Sequence, residues 1–335
     1  MKNLLYLGNK LARHGLNQTT METLGPLLER EGFTVTYASS QKNQQLRILD
    51  MLWRVCRNRQ TDYVIIDTYS TASFWYAFAT SQLCRLLHIK YIPFLHGGNL
   101  PKRLQKNPVI CKMIFKPAYS NVTPSSYLLE AFQKQGYTNV TYIPNAIEIN
   151  RYPFKERTKG EPKLLWVRSF AEIYNPTMAI EVLDALKKRH PEATLCMVGP
   201  DKDGSLSKTK KLAEDLGLPV LFPGKLTKEE WTALSWDYTI FINTTHFDNM
   251  PVSVVEAMAL GLAVVSTNVG GIPFLLEHNK EALLVEDNAV EEMVSGIQKL
   301  IEKPDLFQEL ATQARRKAAA FDWEIVKQRW FNILQ

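Results

Sequence analysis

Two carboxylates, Asp248 and Glu256, stand eight positions apart in the run Asp248-Asn249-Met250-Pro251-Val252-Ser253-Val254-Val255-Glu256. The run follows an apolar strand pattern, Thr239–Ile242, and its second half has helical character, so it reads as a loop entering a helix. Pro251 suits a first helical turn, where a backbone N–H has no intrahelical partner in any case. The N–H groups around Val252–Val254 would then form an anion site of the kind a diphosphate requires. A helix dipole contributes only about 0.3–1 kcal/mol when exposed and about 2 kcal/mol when partly buried, so such a site calls for a cation as well. Arg168, directly after the strand pattern Leu164–Val167, offers a planar guanidinium suited to phosphate oxygens, and Tyr174 and Asn175 in the following loop are candidate helpers. Beyond the helix, strand Ala263–Val265 leads to Gly270-Gly271, where backbone can approach a ligand closely. The competing reading is an ordinary βα unit closed by a glycine turn.

These residues need rigid elements behind them, and the rest of the chain provides the pattern. Short runs rich in β-branched and aromatic residues, Leu4–Leu7, Thr34–Tyr37, Tyr63–Ile66, Tyr91–Phe94 and Thr141–Ile143, alternate with helical segments. After a polar, proline-bearing stretch, 145–162, that reads as a linker, the alternation resumes with Lys163–Val167, Thr194–Val198, Val220–Phe222, Thr239–Ile242, Ala263–Val265 and Leu283–Val285. Such alternation predicts an α/β protein with two doubly wound parallel sheets. The expected division is a first domain over 1–150, a second domain over 151–320, and a terminal helix over 321–335 packing back across to the first. Ligands of open parallel sheets bind outside the carboxyl ends of the strands, so functional residues such as Arg168 are expected in the loops that follow them. In the first half the same rule selects Leu95-His96-Gly97-Gly98-Asn99 and the early loop Arg13-His14-Gly15-Leu16-Asn17. A lone loop histidine is more often structural than catalytic.

Composition excludes several classes. With 335 residues, 45% hydrophobic and 22% charged, the chain is long enough for two cores and is not disordered. No apolar run approaches the roughly 20 residues of a membrane span. The N-terminal apolar run is too short for a signal peptide. Cys56, Cys84, Cys111 and Cys196 are scattered, which argues against a zinc knuckle or a disulfide framework and predicts a reducing, cytoplasmic setting. Asn-x-Thr sequons at Asn17, Asn121, Asn139 and Asn243 are then chance matches. Residues 1–150 hold 17 Lys and Arg against 8 Asp and Glu, while the remainder holds 23 against 26. The basic excess concentrates in Lys42–Arg59 and Lys102–Lys116, interleaved with apolar residues, which suggests peripheral contact with an anionic membrane at its inner face. A solvated helix face is the alternative. Nucleic acid is not expected as a partner, since no readout module is visible.

The run from Asp248 to Glu256 resembles the acidic-x7-acidic signature of retaining GT-B glycosyltransferases, especially glycosyltransferase family 4. Val122-Thr123-Pro124-Ser125-Ser126 and Tyr142-Ile143-Pro144-Asn145-Ala146 resemble family phrases too. The resemblance implies two Rossmann-like domains facing across a cleft, acceptor-binding over 1–150 and donor-binding over 151–320. It implies an enzyme moving a hexose or N-acetylhexosamine from a nucleoside-diphosphate sugar, UDP- or GDP-linked, to a glycan or lipid-linked glycan. It further implies that Glu256 holds the ribose, Asp248 faces the sugar, Arg168 grips the diphosphate, and Gly270-Gly271 line the pocket. His96 would contact the sugar, and Gly15 would approach the diphosphate. The nucleotide base would rest on backbone near Gly199, Gly224, Lys225 and Leu226. The family usually begins its signature with Glu rather than Asp, and supplies a lysine about five residues after the arginine, where this chain has none. No metal or other cofactor is expected, and Asp201-Lys202-Asp203 reads as a surface turn. An epimerase of the same fold and a non-catalytic sugar-nucleotide-binding protein are the alternatives.

Overall fold

The computed structural model describes residues 2–10 and 19–335. The chain divides into two units: one runs to Ala146 and also takes in Trp323–Gln335, and the other is Ile147–Asp322.

In the first unit six parallel strands, β1 (Asn3–Leu7), β2 (Thr34–Ala38), β3 (Tyr63–Thr68), β4 (Tyr91–Leu95), β5 (Asn121–Thr123) and β6 (Val140–Tyr142), lie in the order β2-β1-β3-β4-β5-β6. The strands read as continuous apolar runs because both sheet faces are covered. Leu4, Tyr6, Tyr63 and Ile65 face one layer, formed by helices Thr20–Arg30 and Trp323–Leu334. Leu5, Leu7, Val64 and Ile66 alternate to the other, against helices Gln44–Arg57 and Phe74–Leu86. The terminal helix is seated by Trp323, Val326 and Trp330, whose indole meets Phe94 edge-on at 5.3 Å, and by a hydrogen bond from Trp323 Nε1 to Glu31 (3.0 Å). Strand β5 is an addition to the five strands that the sequence pattern predicts here. Only three residues long, it begins with Asn121, whose amide is buried and donates to the Phe115 carbonyl (2.9 Å).

The second unit repeats the plan with β7 (Lys163–Val167), β8 (Thr194–Val198), β9 (Val220–Gly224), β10 (Ile240–Asn243), β11 (Ala263–Thr267) and β12 (Ala282–Val285), in the order β12-β11-β10-β7-β8-β9. All pairings are parallel. Here too alternate residues divide between two cores, Leu164 and Trp166 against Leu165, Leu195 and Met197 against Cys196. The order reverses between β7 and β10, and a crevice at the carboxyl ends of strands at such a switch point is where open α/β sheets bind ligands.

The stretch that reads as a linker is built into this unit. Arg157 is buried, and its guanidinium donates to the carbonyls of Tyr238, Leu260 and Ser235, each at 2.8 Å. Burial pushes its pKa down to about 10. Sequence polarity there marks a side chain satisfying backbone carbonyls in the interior, a role that apolar periodicity does not register.

Candidate functional site

Strand β7 carries Arg168 to the switch point, and the loop after β10 brings Asp248 beside it. The two side chains form an ion pair that is partly open to solvent. The guanidinium lies over the Tyr174 ring, 4.1 Å from its centroid. Burial by itself would lower the Arg168 pKa, but the Asp248 carboxylate and Tyr174 outweigh it and raise it. One donor is left over: Nε of Arg168 is buried and has no hydrogen-bond partner among the described residues.

Two glycine-dependent close approaches fix this geometry. Gly199, at φ +150° after β8, packs so tightly that a Cβ would stand 1.8 Å from the Arg168 carbonyl oxygen, and its N–H donates to the Gly224 carbonyl (2.9 Å). At Gly271 a Cβ would stand 1.8 Å from the Asn249 carbonyl oxygen, and the Gly271 N–H donates to the Asp248 carbonyl (2.8 Å). The paired glycines therefore admit the backbone of the acidic loop itself. Asp248 is further held by the Asn249 N–H on Oδ1 (2.8 Å).

The helix that follows is Val252–Ala259. Pro251 caps it from outside the first turn, with an extended ψ of 113°. The Val254 N–H turns back to the Pro251 carbonyl (3.2 Å), so the anion-binding end narrows to the N–H groups of Val252 and Ser253. The Ser253 hydroxyl is buried there and has no partner among the described residues. Three residues on, Glu256 is buried, and its Oε1 accepts from the Tyr152 hydroxyl (2.7 Å) and pairs with Lys228 at the start of helix Lys228–Leu234. Burial, then the neighbouring Glu256, push the Tyr152 pKa far up, so the hydroxyl stays a donor.

Sequence reasoning missed Tyr152, Lys202 and Lys228. Lys202 Nζ stands 6.0 Å from the Tyr174 ring, on the loop after β8 that is tied to the Arg168 loop by Phe170 N–H to Pro200 O (2.8 Å) and Lys202 N–H to Phe170 O (3.0 Å). Two lysines thus reach this region from other strand ends, where local spacing gives no signal. Asn175 belongs to the scaffold: it has a left-handed backbone at φ +46°, its amide donates to Asn288 (2.9 Å), and its carbonyl accepts from Thr244 (2.8 Å). Asp201 and Asp203 accept from the N–H groups of Gly204 (3.0 Å) and Glu172 (2.9 Å), fastening turns. Among the described residues no three His, Cys, Asp or Glu gather as a metal site would need. Leu226 packs on the core, while Lys225 is exposed.

The first unit has a site of its own at the carboxyl ends of β3 and β4. His96 Nε2 lies 2.9 Å from Oδ1 of Asp67, which also accepts from the Tyr6 hydroxyl (3.1 Å). Asp67 is wholly buried, and its Oδ2 has no partner among the described residues. His96 also packs against Phe94, with centroids 4.2 Å apart. The backbone N–H groups of His96 and Gly97 both donate to the Thr68 carbonyl (2.9 and 3.3 Å). Asn99 is exposed ahead of helix Leu100–Lys106, and Gly98 is half-buried. Gly15 lies outside the described residues. Sequence reasoning missed Asp67, whose place at the end of a strand pattern was its only signal.

A family model described as glycosyl transferases group 1 matches residues 148–317. An uncharacterized glycosyltransferase of Haemophilus influenzae is 29% identical over 156 residues, covering 46% of this chain and 44% of the relative. A glycogen synthase of Mycobacterium tuberculosis is 25% identical over 196 residues, covering 57% of this chain and 47% of the relative. The chain thus spans about half the length of these curated relatives. The crystal structure of Anabaena HepE in complex with UDP and glucose superposes with a TM-score of 0.81 at 18% identity, covering 100% of this chain and 99% of that one. At that identity the likeness establishes the fold, two parallel α/β sheets of the GT-B kind.

Proposed function

The chain belongs to the glycosyl transferases group 1 family, and from that premise we propose that it transfers a hexose or N-acetylhexosamine from a nucleoside-diphosphate sugar to a hydroxyl of a glycan or lipid-linked glycan, with retention at the anomeric carbon. The observation that carries this reading is the placing of Arg168 at the switch point of the second sheet, paired with Asp248 four residues ahead of helix Val252–Ala259 and close enough to Glu256 to feel its charge. A guanidinium fork and the N–H groups of a helix N-terminus are donors that a diphosphate satisfies. UDP is the favoured nucleotide, because the structural neighbour of the same fold holds UDP.

In this proposal Arg168 and the N–H groups of Val252 and Ser253 take the diphosphate, and Lys202 supplies the second cation that the sequence lacks after Arg168. Glu256, oriented by Tyr152 and Lys228, takes the ribose hydroxyls. Asp248, oriented by Arg168 and the Asn249 N–H, faces the sugar and stabilises positive character at its ring. Breaking the bond between anomeric carbon and phosphate oxygen puts charge on the leaving group, and prearranged donors stabilise it without reorganisation. The proton of the acceptor hydroxyl goes to the departing phosphate.

A thermal-shift screen with UDP-, GDP- and ADP-sugars, run on the wild type and Arg168→Ala, tests the proposal. One donor raises the melting temperature of the wild type and leaves the variant unchanged. Equal stabilisation of both proteins, or of neither, would overturn the site. Incubation of that donor without acceptor, followed by product analysis, separates transfer from epimerisation.

A further inference from the structure

The outer face of the first unit's helical layer carries large apolar side chains that no core claims. On helix Gln44–Arg57, Leu46, Leu49 and Trp53 repeat at i, i+3 and i+7 and form one stripe, with Leu49 62% and Trp53 52% exposed. Met51 and Val55 on the opposite side are buried against the sheet. Arg54 and Arg57 both lie over the Trp53 ring, at 5.2 and 5.4 Å. Helix Phe74–Leu86 packs between this helix and Pro108–Phe115 and ends in exposed Leu86. On Pro108–Phe115 the pattern repeats: Val109 (70% exposed) and Met113 stand at i and i+4, flanked by exposed Lys112 and Lys116.

Charge on this face is mostly positive. Helices Phe74–Leu86 and Pro108–Phe115 carry Arg85 and Lys112 and no acid, and Lys116 follows directly. On helix Gln44–Arg57 the single acid, Asp50, pairs with Arg54 at 3.6 Å. Exposed apolar groups rimmed by cations, with an indole held between guanidinium groups, match a surface that is negative outside and apolar just beneath.

We propose that the outward faces of helices Gln44–Arg57, Phe74–Leu86 and Pro108–Phe115 together form a docking surface for an anionic phospholipid bilayer, with Leu49, Trp53, Leu86, Val109 and Met113 entering the interface and Arg57, Lys112 and Lys116 meeting the headgroups. Among the described residues no helix is long and apolar enough to cross a membrane. Vesicle binding requires no sugar nucleotide, so docking and donor binding can each fail alone.

Co-sedimentation of the full chain with vesicles of phosphatidylglycerol mixed with phosphatidylcholine, and with phosphatidylcholine alone, is the test. The wild type sediments with the mixed vesicles, stays in solution with the neutral ones, and is released by salt. The double variant Leu49→Ser, Trp53→Ser partitions at least about tenfold less, since two interfacial anchors are removed. Leu221→Ser, an exposed apolar change in the second unit, partitions like the wild type. Should the double variant lose its thermal transition, Arg57→Gln with Lys112→Gln gives the same loss from exposed positions. Failure of the wild type to sediment with anionic vesicles, or unchanged partition of the folded variants, overturns the proposal. So does a wild-type dimer in light scattering that the double variant makes monomeric without any vesicle binding, since the face would then pair with a second copy.

Discussion

At the switch point of the second sheet Arg168 and Asp248 are paired and partly open to solvent; at that of the first sheet, between β1 and β3, Asp67 is wholly buried with Tyr6 and His96. The topology supplies both crevices in the same way, yet the side chains differ in what they can do. The open pair holds charges that can exchange partners, since an incoming anion can take guanidinium donors and leave the carboxylate to another group. The closed pair fixes an imidazole in one orientation, and Tyr6, whose pKa burial and then Asp67 push well up, stays a hydrogen-bond donor to the same oxygen. One crevice is arranged to meet charge and the other to set direction.

The sharpest way to break that contrast is at the open end. Arg168→Ala is expected to lower kcat by roughly 100- to 1000-fold, the effect of losing a donor to a developing charge worth about 2.7–4 kcal/mol. Arg168→Lys should not restore it, because an ammonium lacks the planar fork and the contact with Tyr174. Initial rates at saturating donor measure both, and a lysine variant of near wild-type rate would show that charge alone suffices.

At the closed end the larger effect should appear in stability. His96→Ala removes a partner of a buried carboxyl group and should cost about 2–3 kcal/mol in denaturant unfolding. Adding Asp67→Asn to that variant should recover most of it. If His96→Ala leaves the unfolding midpoint unchanged, the pair has no structural weight and the contrast fails.

A smaller effect is expected at Glu256. Tyr152→Phe removes one hydrogen bond to it and should weaken nucleotide binding by roughly 1 kcal/mol, about fivefold, with kcat nearly unchanged. Titration calorimetry with the nucleoside diphosphate checks the affinity. The smallest effects test the packing beneath. Burial pushes Cys84 up to about 12 and Cys111 and Cys196 up to about 11, so at pH 8 these thiols hold their protons and resist alkylation, while exposed Cys56 reacts. With increasing denaturant, mass spectrometry should reveal whether Cys196 of the second unit or Cys84 and Cys111 of the first become reactive earlier.

Much of the architecture was legible because it is written locally. Five of six strands in the first sheet and all six in the second stand out as apolar runs of strand length, and βα alternation requires parallel order. Strand β5 escaped because three residues, one a buried asparagine, carry no periodicity. Pro251 differs by a single position, capping the helix from outside where the pattern placed it within the first turn.

By itself the sequence determined that two wound sheets exist and that a loop with two carboxylates enters a helix beside a strand-end arginine, because strand and helix periods bind residues close in the chain. Tertiary structure alone decided which distant groups complete those sites. Glu256 meets Tyr152 and Lys228 across separations of 104 and 28 residues, and His96 meets Asp67 across 29. Strand order sets those meetings, close packing at Gly199 and Gly271 sets that of Arg168 with Asp248, and neither is carried by a local pattern.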